Sequence, residues 1–283
     1  MDYKDKSVLI TGGTSGIGLE LARLLAARGA RLFLFARSQD NLRKTINDLQ
    51  TVQAGEYHGI PTDVSDANQV AQSVEQVIAL AGVPDLLVNS AGAAHPGYVQ
   101  DLDLEIFRWM MDVNYYGTVY VTKAILPGMI ERKSGYIVNI ASLFAAVAGA
   151  YGYTAYGASK FALRGFSDAL RMEMKPHGIQ VSIVYPADTD TPQLTYENQY
   201  KPAELKQILQ ILPALDPIPP ELVARAIVGG IDRRKNVIIP DLGTSLFIKL
   251  INVLGNGIYP VLDWLLARAQ GQIQSQDGSE KEN

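Results

Sequence analysis

Tyr156-Gly-Ala-Ser-Lys160 sets a phenol and an ammonium four residues apart, a spacing that puts both side chains on one helix face, one turn from each other. A phenol ionises near pH ~10 and is a poor proton shuttle at neutrality unless a cation stabilises its phenolate, and Lys160 is placed to be that cation. In a reduction, Tyr156 is expected to protonate a ketone oxygen as hydride arrives at the carbon, while a hydroxyl from elsewhere polarises the same oxygen. Ser142, just past the apolar run Gly135–Ile140, is the candidate for that hydroxyl. With fourteen tyrosines in the chain, a Tyr-x-x-x-Lys pair alone is a weak signal, because such pairs are usually helix-surface neighbours.

A second stretch gives the pair its context. Thr11-Gly-Gly-Thr-Ser-Gly-Ile-Gly18 follows a strand-like run and opens a helix. Gly12, Gly16 and Gly18 allow a tight turn, close approach of backbone to a pyrophosphate, and close packing of helix on strand; Thr14, Ser15 and Ile17 complete a loop whose helix N-terminus faces the anion. Folds that bind NAD usually end the second strand with an acid that accepts from the ribose hydroxyls. Here that place reads Ala36-Arg37, and an arginine pairs with a 2′-phosphate where a carboxylate would repel it. The predicted cofactor is therefore NADPH, with Arg37 on the 2′-phosphate and Ser15 assisting.

These residues need a frame. Short apolar runs at Ser7–Ile10, Arg31–Ala36, Glu56–Pro61, Leu86–Asn89, Gly135–Ile140, Gln180–Tyr185 and Asn236–Ile239 alternate with amphipathic stretches near Gly16–Arg28, Gln39–Thr51, Ala67–Leu80, Asp103–Arg132, Ala155–Lys175 and Pro220–Arg233. That alternation predicts an α/β fold: a doubly wound, seven-stranded parallel sheet with helices on both faces. Residues 1–240 read as one catalytic domain, 193–219 as a lid over the substrate, 241–270 as an apolar helical tail, and Gln272–Asn283 as a polar, disordered end.

Composition removes several alternatives. A formal net charge of −4 gives no basic field for nucleic acid, and the absence of cysteine excludes disulfides and thiolate chemistry. Three widely spaced histidines make a His-rich metal site a poor reading, so no metal is predicted. Asp2 and Asp5 leave no room for an apolar signal segment, which points to a cytoplasmic start.

In sequence order these motifs resemble the short-chain dehydrogenase/reductase family from about Lys6 to Ile239. The resemblance implies a Rossmann fold and assigns Thr11–Gly18 to the dinucleotide turn, Asp63-Val64 to the adenine contact, and Asn89-Ser-Ala-Gly92 to the loop after the fourth strand, with Asn89, Ala91 and Gly92 near the cofactor. Ser90 stands where the family usually has a second asparagine, and Ala187 replaces the glycine of its common Pro-Gly after Tyr185. Asn114 matches the asparagine that supports a water-linked proton path to the lysine, and Ser142, Tyr156 and Lys160 complete the tetrad. Pro186, Thr189 and Thr191 fall where the family holds carboxamide and pyrophosphate.

Tyr153–Gly165 and Tyr185–Pro192 are similar to the family's 3-ketodihydrosphingosine reductases, which implies NADPH-dependent reduction of a long-chain 3-keto amino alcohol. Asp188 or Asp190 is expected to attract the protonated amine, against the simpler reading that both serve turn chemistry. Leu194, Tyr196, Tyr200, Leu205, Ile208, Leu209 and Leu212 in the lid suit an acyl chain or a helix packed on the core. Gly255, Gly257 and Pro260 split the apolar tail into pieces short of the ~20 residues a bilayer span needs, so peripheral contact is expected, or else a contact within a homo-oligomer. Another hydrophobic ketone or alcohol, such as a steroid or a 3-oxoacyl chain, remains open as substrate. A non-catalytic NADPH-binding sensor is a third reading, though it has no use for the proton donors.

Overall fold

The computed structural model describes residues 2–147, 150–211 and 216–281, with side chains described as far as residue 274. Seven strands, β1 (Ser7–Thr11), β2 (Arg31–Ala36), β3 (Tyr57–Pro61), β4 (Leu86–Asn89), β5 (Gly135–Ile140), β6 (Ile179–Val184) and β7 (Val237–Ile238), form one sheet in the order β3-β2-β1-β4-β5-β6-β7. Every pairing is parallel. Each strand lies within two residues of the run read from the sequence, because strands covered on both faces are apolar along their whole length.

Alternate strand residues supply two cores. Val8 and Ile10 point to the side covered by α1 (Gly16–Ala26) and α9 (Pro220–Asp232), where they meet Leu21, Leu25, Val223 and Ile227. Leu9 and Phe33 point to the other side, against Val74 of α3 (Ala67–Ala81) and Val121 and Ile125 of α5 (Gly117–Glu131). The remaining helix on the nucleotide half, α2 (Gln39–Val52), is capped by Ser38, whose hydroxyl accepts from the Asn41 N–H at 3.2 Å.

The order of the strands reverses between β1 and β4, so the loops leaving them part and open a crevice at the carboxyl ends of the strands. Thr11 ties this crevice together. Its Oγ1 accepts from the backbone N–H of Ser90 and of Ala91, at 3.0 Å each, joining the first loop to the loop after β4.

The single helix expected over Asp103–Arg132 is interrupted. It comprises α4 (Leu104–Met111), one π turn (Asp112–Tyr116) and α5. The wide turn carries Asn114 into the interior, where its side chain satisfies both backbone groups of Ala93: Oδ1 accepts from the Ala93 N–H at 2.9 Å and Nδ2 donates to its carbonyl at 2.8 Å. A local apolar period cannot report a bond to a residue 21 positions away.

Beyond β6, α7 (Pro192–Tyr200) and α8 (Ala203–Ile211) occupy the segment read as a lid, while Leu212 lies outside the described residues. The tail consists of α10 (Leu242–Leu254), a short 3₁₀ turn (Gly255–Ile258) and α11 (Tyr259–Lys281), divided where Gly255 takes a φ of 52°. The polar end expected to be unstructured continues α11 as far as Lys281, since extending an existing helix is far easier than nucleating one. Ile248, Ile251 and Ile258 pack on Leu163 and Tyr185, and α11 lies against α8. The opposite face leaves Leu246, Leu250, Val253 and Trp264 more than half exposed. By length and composition, Leu242–Gln274 is apolar enough to cross a membrane, although the break at Gly255 divides it.

Candidate active site

A cavity of about 740 Å³ opens at the carboxyl ends of the strands, inside the usual size range of cofactor and small-molecule sites. One end is walled by the glycine loop (Gly12, Thr14, Ser15, Gly16 and Ile17) with Arg37, Asp63, Val64, Ala91 and Gly92. The other end is walled by Ser142, Tyr156, Lys160, Pro186, Asp188, Thr189 and Thr191.

Of the catalytic and cofactor residues read from the sequence, three do not line it. Gly18 lies behind the turn, where a β-carbon would stand 2.9 Å from the carbonyl carbon of Gly12, so its part is the close packing of α1 on the loop. Asn89 is 2 % exposed and braces the sheet instead, its Nδ2 donating to Asn139 at 2.8 Å and to Thr122 at 3.2 Å. Asn114 is wholly buried beneath the wall; besides Ala93, its Nδ2 reaches the Ser159 hydroxyl at 2.9 Å. Gly92 separates Asn114 from Lys160, since a β-carbon there would sit 3.2 Å from Asn114 Oδ1 and 3.3 Å from Lys160 Nζ.

The loop fits a dinucleotide on its own geometry. Gly12 has a φ of 68°, and a β-carbon on it would come within 2.9 Å of the Ala91 backbone. Gly16 has a φ of 50° and lies under the Thr191 methyl. Backbone N–H groups at the start of α1 are thus exposed to an anion in a cradle that only glycine permits. Arg37 is exposed at the rim beside Ser38 and Asn41, two further lining residues that sequence reasoning passed over. The Ser38 cap signal ahead of α2 was the available clue.

At the other end, α6 (Thr154–Met174) carries Tyr156 and Lys160 on one face, with Lys160 Nζ 5.7 Å from the centre of the Tyr156 ring. Lys160 is 5 % exposed and donates to the Ile140 carbonyl at 3.1 Å. Burial lowers its pKa to about 8, against a smaller upward pull from the Glu197 charge. Burial also pushes the Tyr156 phenol well above its ordinary value; the charges of Glu197 and Asp188 add to this, and the facing Ser142 hydroxyl opposes it. The net shift is upward, so Tyr156 stays protonated through the neutral range, the form that donates to a ketone. Ser142 caps the short turn Leu143–Ala145, its oxygen accepting from the Phe144 N–H at 3.2 Å, which leaves its O–H free to donate.

The substrate side differs from expectation at both aspartates and along the lid, where Leu194 lines the cavity but Tyr196, Tyr200, Leu205, Ile208 and Leu209 do not. Asp188 lines the cavity, but its Oδ2 accepts from Lys201 Nζ at 2.9 Å, and the Lys201 side chain is only 4 % exposed. A buried ammonium needs a counter-charge, so Asp188 already has its cation. Asp190 does not line the cavity. Glu197, which sequence reasoning missed, does so from α7 together with Gln193 and Leu194. It is 9 % exposed, and Tyr153 donates to its Oε2 at 2.6 Å. Gln193 and Leu194 stand four and three residues before Glu197, which was the only signal, and it does not say which face of α7 turns inward.

Residues 6–201 match the short chain dehydrogenase family. The chain is 41 % identical over 230 residues to a 3-ketodihydrosphingosine reductase of Bos taurus, covering 78 % of this chain and 67 % of that one. It is 37 % identical over 274 residues to a 3-ketodihydrosphingosine reductase of Dictyostelium discoideum, covering 91 % and 80 %. A short-chain dehydrogenase from Sphingobium yanoikuyae solved in complex with NADPH superposes with a TM-score of 0.76 at 27 % identity, covering 89 % of this chain and 94 % of that one. Sheet order, glycine cradle and relatives agree, and the chain belongs to the short-chain dehydrogenase/reductase family as an NAD(P)-dependent oxidoreductase acting on a carbonyl or hydroxyl group.

Proposed function

We propose that this enzyme reduces the ketone of a long-chain 2-amino-3-keto alcohol of the 3-ketodihydrosphingosine type with NADPH, in sphingolipid synthesis. The observation that carries the reading is the cavity itself. It joins a nucleotide cradle with an arginine at its rim to a protonated Tyr156 facing Ser142, and the relatives of about 40 % identity are named for this reaction.

The glycine loop and Thr191 hold the pyrophosphate, Asp63 and Val64 border the adenine, and Arg37 pairs with the 2′-phosphate. NADPH, when bound, supplies the hydride. Ser142 donates its hydroxyl hydrogen to the ketone oxygen, and Tyr156 transfers its phenolic proton to that oxygen as negative charge builds on it. Lys160 in its charged form stabilises the phenolate left behind, and Asn114 with Gly92 holds open the route by which the proton is replaced. Phe144, Trp109 and Leu194 line the wall beside Tyr156 and receive the apolar part of the substrate. The deciding experiment is reduction of 3-ketodihydrosphingosine in detergent, followed by loss of reduced-nicotinamide absorbance. A steroid or 3-oxoacyl ketone reduced faster than this lipid would overturn the substrate.

Two expected results follow from the roles of single residues. Arg37→Ala should raise the KM for NADPH about 10- to 100-fold, the worth of a charge-assisted bidentate contact, while leaving the weaker use of NADH nearly unchanged. Equal losses with both cofactors would remove Arg37 from the 2′-phosphate. Because Lys160 loses its proton near pH 8 while Tyr156 keeps its own, kcat/KM for reduction should fall on the alkaline side with a midpoint near 8. A profile flat to pH 10 would show that the lysine charge is not used.

The exposed apolar face of α10 and α11 fits peripheral contact with a membrane that holds such a lipid. Trp264 has Arg268 with its guanidinium carbon 5.5 Å from the ring centre, an aromatic and a cation side by side, as favoured at a membrane interface. Leu250→Glu combined with Trp264→Glu should abolish sedimentation with anionic lipid vesicles while solution activity on a short-chain ketone persists. Unchanged sedimentation would assign this face to another partner.

A further inference from the structure

The wall beside Tyr156 contains a carboxylate that the hydride-transfer chemistry does not use. Glu197 projects from α7 into the cavity and is buried to nine-tenths. Its hydrogen-bond partner is neutral, the Tyr153 hydroxyl at 2.6 Å, while the Gln193 amide donates to the Ala94 carbonyl at 2.8 Å. The nearest cation on its own helix end, Lys201, is bonded to Asp188 at 2.9 Å, and Lys160 donates to the Ile140 carbonyl. Two carboxylates on this wall thus share one committed ammonium. Burial raises the pKa of Glu197, with Asp188 adding to the rise and Lys201 and the Tyr153 hydroxyl opposing it, as expected for an acid without a dedicated counter-ion.

A buried carboxylate held by a neutral donor is poised to take a cation brought in by the ligand. Its place suits one kind of ligand. Tyr153 bridges Glu197 to the reaction centre, its ring 5.6 Å from that of Tyr156, so a group on Glu197 lies close to the carbonyl that Tyr156 would protonate. In a 2-amino ketone the ammonium is one bond from the carbonyl carbon's neighbour, within that reach.

We infer that Glu197 binds the ammonium group next to the substrate carbonyl and thereby selects 2-amino ketones over the same ketones lacking the amine. The inference rests on the amino-ketone reading above. It also explains why Asp188, the acid that the sequence brings forward, is held by Lys201: without that pairing the pocket would present two uncompensated charges to a single ammonium.

The test compares kcat/KM for 3-ketodihydrosphingosine with that for the ketone carrying hydrogen in place of the amine, using NADPH and the full chain. In the unaltered enzyme the amino ketone should be favoured by about 10- to 100-fold, the range for a hydrogen bond between charged groups. E197Q should bring the ratio close to one, chiefly through KM for the amino ketone, with NADPH titration reporting that the variant is folded. E197D, which keeps the charge, should recover part of the preference. A ratio that survives E197Q, or one that collapses in D188N instead, overturns the assignment to Glu197 and leaves the reductase reading standing. An enzyme that reduces both ketones equally without any substitution overturns it in the same way. Failure to reduce either ketone with NADPH removes the reductase reading, and the inference falls with it.

Discussion

Tyr156→Phe is expected to lower kcat for ketone reduction by about 10²- to 10⁴-fold, the contribution of a positioned general acid, with NADPH affinity within a factor of two or so of the unaltered enzyme. The substitution removes one hydroxyl and keeps the ring, so the edge contact with Phe144 at 6.3 Å and the neighbouring Tyr153 ring are preserved. Binding should survive while chemistry stops. The parallel Tyr153→Phe variant makes the result informative, because a second phenol stands three positions earlier in the chain. Tyr153 is 2 % exposed, is absent from the cavity wall, and has its hydroxyl hydrogen committed to Glu197. Its loss should therefore cost far less. If Tyr156→Phe retained more than about a tenth of the rate, the proton donor would have to be sought elsewhere, since general acid catalysis is worth at least ~10²-fold.

Gly18→Ala should be strongly damaging. The added carbon would run into the carbonyl oxygen of Gly12 and lie 2.9 Å from its carbonyl carbon, and both are backbone atoms that cannot rotate away. Either the turn after β1 opens or α1 lifts from the sheet, where it buries Leu21, Ala22, Leu25 and Ala26. Overpacking of this kind costs about 1–3 kcal/mol, and the opened turn should weaken dinucleotide binding by at least ~10-fold. Thermal unfolding and cofactor titration read the two effects separately. Gly165→Ala is the contrast: it lies inside α6 with nothing within 4 Å of the new carbon, so it should be stabilising by about 0.5–1 kcal/mol. Equal behaviour of the two variants would mean that the turn has slack the structure does not display.

Much of the site was legible because its chemistry is encoded locally. Gly12, Gly16 and Gly18 sit in one short stretch, and Tyr156 and Lys160 in one helical turn, so spacing alone brings each group together. The parallel sheet was legible for a similar reason, as strands buried on both faces leave continuous apolar runs. Arg37 was readable from its place at the end of β2, and it does stand at the cavity rim. The π turn at Asp112–Tyr116 was not readable, since the pull on Asn114 comes from Ala93 and Ser159 on other segments. Nor was the tail's division of labour: one face of α10 packs on Leu163 and Tyr185 while the other is left to solvent, and an apolar run looks the same whichever face is covered.

By itself the sequence determined the fold class and the glycine loop after the first strand, and it brought forward Ser142, Tyr156 and Lys160 as candidates, because these readings depend on periodicity or on neighbours within a few residues. Only the tertiary structure decided how the charges are distributed. It turned one face of α7 toward Tyr156, paired Asp188 with Lys201 from 13 positions on, set Glu197 against Tyr153 from 44 positions away, and buried Lys160 deeply enough to bring its pKa to about 8. Burial and through-space charge depend on which segments meet, and no local pattern records that meeting.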